Sequence, residues 1–429
     1  MAKSNPSESE VLQLRRWLSS WGRLWSHKDF IRLWTSETIG AFGRQVTGLA
    51  LPTVAILLLK AGPFEMGVLN GLQVLAFPIL GLVVGVWADR WRRRPIMVAA
   101  NVGRMVALGS IPVTFIFGVL HLYQLYIVAA VVGIFTVFFD VAYQSYLPSL
   151  IERNDLVEGN SKLETSQSAA QVVGPAIAGY LIQIIGAAEA IAADAIAFLT
   201  SAVFIFSIRK QEPKPEPSGE DPDFIAELKE GAQIVIKSPV LRRIAACTAT
   251  ANLGDSIFFA VFLIYVYQRL QLSPGTVGII FGIGSIGVLL GAIAAARVAS
   301  SIGLGPAIVI SIFVSGIGLL AIPLASYGPA VPILIGVQIL TGFSIPVYNI
   351  NQVSLRQAIT PDRIQGRMNA TMRTIVWGTI PVGSLIGGVL GSQFGIMPTL
   401  IIGGVVATLS AVWVAFGPVI SLRKVPAQV

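Results

Sequence analysis

Long apolar windows separated by short polar turns run along almost the whole chain. They fall near 31–59, 66–88, 95–118, 122–147, 160–185, 187–208, 241–268, 274–297, 305–325, 329–353, 369–391 and 396–418. Crossing ~30 Å of hydrocarbon as a helix takes about 20 apolar residues, so the pattern predicts twelve membrane-spanning helices. Several windows hold proline or many glycines, which would break a soluble helix but which neighbouring helices absorb inside a membrane bundle. Two stretches depart from the pattern. Residues 11–25 read as an amphipathic helix, with Leu14, Trp17, Leu18, Trp21, Leu24 and Trp25 beside Arg15, Arg16 and Arg23, suited to an anionic leaflet. The first 28 residues have no apolar core with a small-residue cleavage site, so no signal peptide is expected there. The run 210–223 is rich in proline and charge, and 224–237 looks like a second, short amphipathic helix. The expected organisation is an N-terminal amphipathic helix at 1–28, a six-helix bundle at 29–208, a linker at 209–240, a second six-helix bundle at 241–418 and a tail at 419–429.

Charge placement tests this count. The loops expected inside hold Arg90, Arg92, Arg93, Arg94, Arg153, Arg209, Lys210, Lys214, Arg297, Arg356, Arg363 and Arg367, whereas those outside hold Lys60 and Arg269. This is the positive-inside bias. It predicts a multi-pass protein of the bacterial inner membrane with both termini cytoplasmic, and assigns the net charge of +8 to the bilayer surface rather than to nucleic acid. Only 12% of the residues are charged, about half the usual share of roughly 25%. That excludes a soluble enzyme or a disordered chain. One cysteine, Cys247, and two histidines, His27 and His121, supply neither a disulfide scaffold nor a metal site, and no cofactor is expected.

The two halves repeat each other. Gln144 and Gln352, Ile151 and Ile359, and Gly179 and Gly387 are each 208 residues apart, while Gly81/Gly287 and Gly85/Gly291 are 206 apart. Parallel six-helix repeats are a transporter plan that places the substrate site between the halves.

The turn after span two reads Gly85-Val-Trp-Ala-Asp89-Arg90-Trp-Arg92-Arg93-Arg94. It resembles the signature between the second and third helices of the major facilitator superfamily, except that Arg92 replaces a second glycine. Gly291-Ala-Ile-Ala-Ala295-Ala296-Arg297 stands as its counterpart in the second half, without the acid. The runs from Leu147 to Leu156, Gly174 to Gly179 and Tyr348 to Asn369 resemble the bacterial exporter branch that includes enterobactin exporters and macrolide-efflux proteins. The resemblance implies an all-α fold of two pseudo-symmetric six-helix bundles that alternate access to a central cavity. It implies a conformational latch at Gly85, Asp89, Arg90, Arg93 and Arg94. Gly174, Pro175 and Gly179 partly match the family's antiporter motif in helix five, where proline frees a backbone carbonyl and glycines permit close approach.

A charge at the bilayer centre costs around 2.5–3.5 kcal/mol on insertion scales, so each needs a reason. Glu37 and Arg44 lie on one face of span one, and Arg104, Asp140, Asp194, Asp255 and Arg373 are further intramembrane charges. Asp255 falls about two turns into span seven. Glu37, Asp255 and Asp140 are the candidate proton sites, with Arg44 and Arg104 as partners; static buried ion pairs are the alternative reading. Candidate cavity residues include Gln73, Tyr143, Asn252, Tyr348 and Trp377, with Gln45, Phe42, Asn70, Phe258, Tyr265, Gln338 and Asn349. Gly282-Ile-Gly284-Ser-Ile-Gly287 fits the dinucleotide fingerprint in letters but lies inside an apolar span with no preceding strand, so it reads as helix packing. Asp155–Glu158 and Asp362–Gln365 read as helix-capping boxes. Together these features predict a monomeric, proton-coupled exporter of small organic molecules such as drugs, macrolides or siderophores. A lysophospholipid flippase or an importer of the same fold is the alternative, and a membrane-embedded enzyme a more distant one.

Overall fold

The computed structural model describes residues 22–210, 212 and 224–424; the side chains of 82, 83, 85–90, 224–229 and 362 also lie outside the described residues. Most of the expected amphipathic segment 11–25, the proline-rich run 213–223 and the side chains of Gly85, Asp89 and Arg90 therefore fall outside them.

Among the described residues, twelve helices are long and apolar enough to cross a membrane. They are α1 (Lys28–Thr53), α2 (Pro63–Arg90), α3 (Arg93–Ile116), α4 (Leu122–Leu150), α5 (Leu156–Ile185) and α6 (Ala187–Phe206). After the linker helix Phe224–Lys237 come α7 (Pro239–Ile264), α8 (Pro274–Ile302), α9 (Leu304–Ala321), α10 (Ala330–Ala358), α11 (Asp362–Phe394) and α12 (Ile396–Leu409). No strand occurs among the described residues.

Packing repeats between the halves. α1 lies against α5 and α6, α2 against α4, and α3 against α4 and α6; α7 lies against α11 and α12, α8 against α10, and α9 against α10 and α12. Across the seam, α2 meets α11 and α5 meets α8. The chain is thus a multi-pass membrane protein of two pseudo-symmetric bundles.

The structure refines the repeat register. α1 and α7, α2 and α8, and α3 and α9 begin 211 residues apart, α4 and α10 208 apart, and α6 and α12 209 apart. Backbone features follow the same register: Lys60 and Gln271 both adopt positive φ (55° and 53°), 211 apart. Gly186 and Gly395, 209 apart, break α5 from α6 and α11 from α12 at φ of 97° and 89°, where a side chain would be strained. The 206-residue pairing of Gly81 with Gly287 and Gly85 with Gly291 does not hold in this register. Gly287 and Gly291 instead face the backbone of α10 at Ile339 and Phe343. The fingerprint glycines divide between two neighbours: Gly282 faces Val172 and Ala176 of α5, and Gly284 faces Gln338 of α10.

Both α1 and α7 finish in a five-residue π turn, Val54–Leu58 and Tyr265–Arg269. The arginine-rich loops lie at the end of the bundles where α3, α5 and the linker helix begin, here termed the basic end. At the basic end the expected capping box at Asp155 is absent: its side chain makes no cap bond. Asp155 pairs with Arg23 at 2.6 Å, and Glu158 accepts from the Gly22 amide at 2.8 Å and pairs with Lys162. These acids tie the chain before α1 to the α4–α5 turn. The corresponding Asp362 side chain lies outside the described residues.

Candidate functional site

Between the bundles lies a cavity of about 720 Å³, walled by α1, α2 and α5 on one side and α7, α8, α9, α10 and α11 on the other. Gln45, Asn70, Gln73 and Gln171 reach it from the first half, and Asp255, Ser315, Gln338 and Thr341 from the second. Phe259, Phe262 and Phe281 add an aromatic wall, with Phe262 and Phe281 ring centroids 6.1 Å apart. Among the described residues lining the cavity, Asp255 is the single charged one. It sits sixteen residues beyond Pro239, near the middle of the 31-residue span Pro239–Arg269 and deeper than the two turns expected from sequence. A smaller recess continues from Asp255 along α7 and α10 towards the basic end, past Asn252, Tyr348 and Asn349. Tyr348 closes one wall by a 2.6 Å hydroxyl contact with Thr248.

The far end is sealed by contacts that each join the two bundles. The Gly67 backbone lies against Gly388 and Ser384, and Gly179 against Gly278 and Pro274, pairs related by the repeat. A Cβ at Gly67, Gly179 or Gly278 would strike the facing backbone, and one at Gly388 would press on it. Thr53 Oγ1 and the Tyr267 hydroxyl share a 2.9 Å hydrogen bond, buried at the ends of α1 and α7. Gln183 Oε1 of α5 accepts from the Gly275 amide at 3.1 Å and the Ser273 hydroxyl at 3.0 Å, capping the N-terminus of α8.

Pro175 explains a further seam contact. Proline has no N–H to give to the carbonyl four residues back, here that of Gln171. Ser285 of α8 donates to that carbonyl at 2.9 Å, its hydroxyl also lying 3.0 Å from the Phe281 carbonyl one turn back in α8. Gly174 faces Gln45, Pro175 lines the cavity and Gly179 meets Gly278, so the three helix-five residues touch three different surfaces.

Of the other intramembrane charges, Glu37, Arg44, Arg104, Asp140 and Asp194 gather inside the first bundle, while Arg373 of α11 lies over the Phe77 ring at the α2–α11 seam. Arg104 is fully buried, its guanidinium 4.4 Å from the ring centroids of both Phe139 and Phe198. It donates to Asn101, which donates to Ser201 at 2.7 Å, which meets Ser36 at 2.6 Å. Glu37, Arg44, Arg104 and Asp140 interact electrostatically, and Asp140 also feels Arg373 of α11. Arg44 bonds Gln167 at 3.1 Å, and Asp194 accepts from Thr47. These charges stand apart from the cavity wall, whereas Asp255 stands on it.

Of the cavity residues expected from sequence, Gln73, Gln45, Asn70 and Gln338 line the main cavity, and Asn252, Tyr348 and Asn349 the recess. Tyr143 stacks on Phe139 within the first bundle, and Trp377 packs on Phe77 in the α2–α11 seam at 4.7 Å. Phe258 and Tyr265 are buried core, and Phe42 lines a lateral pocket beside Asp194. Arg93 pairs with Glu212 at 3.3 Å, while Glu212 also accepts from the Arg93 and Arg94 amides. Arg94 donates to the Ile205 and Phe206 carbonyls at the end of α6. Sequence reasoning did not single out Gln183, Ser285, Glu212 or the Thr53–Tyr267 pair. A serine able to reach a proline-freed carbonyl has no sequence signal until the partner helix is known.

The family model described as "transmembrane secretion effector" (MFS_3) matches residues 18–427. The chain belongs to the major facilitator superfamily. It is 26% identical over 395 residues to the uncharacterized MFS-type transporter YfiS of Bacillus subtilis (strain 168), covering 88% of this chain and 90% of that one. It is 24% identical over 381 residues to the multidrug efflux pump Tap of Mycolicibacterium fortuitum, covering 86% and 90%. Among solved structures, a mutant of the nucleoside transporter NupG superposes with a TM-score of 0.72 at 13% identity, covering 90% of this chain and 99% of that one. The protein is therefore a transporter and not an enzyme, and its cavity is a candidate translocation site.

Proposed function

We propose that this transporter exports small organic molecules from the bacterial cytoplasm in exchange for protons, by alternating access. The observation that carries the reading is the cavity between the bundles, sealed at the far end by contacts that all cross the seam. Only a relative movement of the two bundles breaks such contacts together. With the basic loops taken as cytoplasmic, both termini lie on the cytoplasmic side of the inner membrane and the sealed end faces out. The relationship to a multidrug efflux pump supports export rather than import.

Proton coupling is assigned to Glu37 and Asp140, which share Arg44 and Arg104, and to Asp255 on the cavity wall. Gly85, Asp89 and Arg90 are assigned to a cytoplasmic latch, with Arg93 and Arg94 anchoring that turn on Glu212 and α6. Each chain holds its own cavity, consistent with a monomer. A lysophospholipid flippase would present basic groups to a phosphate, but among the described residues the lining carries a carboxylate and no lysine or arginine. The test is a resistance and accumulation panel in an efflux-deficient bacterial host. Wild type should lower accumulation of at least one compound, and Asp89→Asn and Asp255→Asn should each weaken that effect. An activity untouched by both substitutions would overturn the site assignment.

A further inference from the structure

Asp255 stands alone in a site otherwise built of neutral groups. Among the described residues, no hydrogen bond or ion pair reaches its carboxylate, and it borders both the main cavity and the recess. The acids of the first bundle differ: Asp194 accepts from Thr47, and Glu37 and Asp140 share Arg44 and Arg104. The register sharpens the contrast, because Asp255 occupies in α7 the position that Arg44 holds in α1, 211 residues earlier. Arg44 is engaged by Gln167, which leaves the cavity with one unneutralised carboxylate.

An ionised carboxylate without a partner on a largely apolar cavity wall is costly, and a bound cation supplies the missing charge. Phe259, Phe262 and Phe281 lie on the same wall, and aromatic faces attract cations while offering apolar surface. The amides of Gln45, Asn70, Gln73 and Gln338 add neutral hydrogen-bonding groups from both bundles. A dianion would need two cations, and none lines the cavity among the described residues.

We infer that the cavity selects organic monocations, an amine or quaternary nitrogen on an apolar body, with Asp255 as the charge-recognising residue and the phenylalanine wall holding the apolar part. This rests on the proposed transport function and names its substrate class, setting anionic chelators such as catecholates aside. Selectivity then comes from a single charge, and the apolar body is left free to vary.

The test is equilibrium binding of radiolabelled tetraphenylphosphonium to the detergent-purified full chain, with no pH gradient present. Competitors share one naphthylalkyl body ending in trimethylammonium, hydroxyl or carboxylate. Wild type should bind the probe saturably. The trimethylammonium compound should displace it at about one-tenth or less of the concentration the alcohol needs, and the carboxylate should compete worst. Asp255→Asn should weaken probe binding about tenfold or more and erase the preference, while Asp255→Glu should keep it. Equal displacement by the carboxylate, or undiminished binding by a monodisperse, helical Asp255→Asn protein, would overturn the inference. The competitor series on wild type stands without any variant. Because no gradient is used, a failure here leaves proton coupling untouched, and a failure of coupling leaves this result standing.

Discussion

Ser285 donates a 2.9 Å hydrogen bond to the Gln171 carbonyl, the acceptor that Pro175 leaves without its helical donor. A local defect in α5 is thereby turned into a bond to α8, and the two bundles share it. A net hydrogen bond is worth about 1 kcal/mol, enough to change a two-state ratio about fivefold. Ser285→Ala should shift spin-label distances across the far end towards the open state by about that factor. In Pro175→Ala the carbonyl regains a helical donor, so adding Ser285→Ala should change little further.

The glycine pairs predict a sharper effect. Gly278→Val places carbon against the Pro175 carbonyl and the Gly179 backbone, and Gly67→Val does the same at Ser384 and Gly388. Either should abolish far-end closure, read as loss of crosslinking between cysteines introduced beside Thr53 and Tyr267. Gly336→Ala, which meets nothing within 4 Å, should crosslink as wild type.

Arg104 serves stability by its position. Its guanidinium lies between two phenylalanine rings and is held by Asn101, with buried acids near it. Removing one member of a buried charged set costs about 3–5 kcal/mol. Arg104→Gln should lower the thermal unfolding temperature in detergent markedly. Arg104→Lys should recover little, since an ammonium cannot stack as a planar fork does.

Glu212 joins the start of the linker to the amides that open α3. A charge at a helix N-terminus contributes about 0.3–1 kcal/mol. Glu212→Gln should therefore raise the rate of tryptic cleavage after Lys210, the one basic residue of 210–223 not followed by proline, several-fold while leaving the folded bundles protected.

Much of the architecture was legible in the sequence, because bilayer thickness dictates helix length and apolar windows report it directly. The span read at 31–59 is Lys28–Leu58 in the structure. The repeat was legible in the sequence, but of its 208-residue pairs only Gln144/Gln352 and Ile151/Ile359 follow the register of their helices; Gly179 matches Gly388 rather than Gly387, and the first three helix pairs run at 211. Glycines pack on several sides of a helix, so a matching letter such as Gly287 need not mark a matching place. The site was only partly legible. Asp255 was visible as an acid in an apolar span, but its isolation depends on which helices turn their charges away from it. Tyr143 and Trp377 looked like cavity aromatics, and packing gave them Phe139 and Phe77 as neighbours. Gln183 and Tyr267 gain meaning only where two distant spans meet.

Proton-coupled export is tested most directly by the purified chain in proteoliposomes loaded with acidic buffer and placed in alkaline buffer. With a fluorescent organic cation outside, accumulation should rise with the imposed pH difference and collapse when nigericin removes it. Glu37→Gln or Asp140→Asn should uncouple that uptake. Accumulation independent of the gradient across several such cations would contradict proton-coupled export.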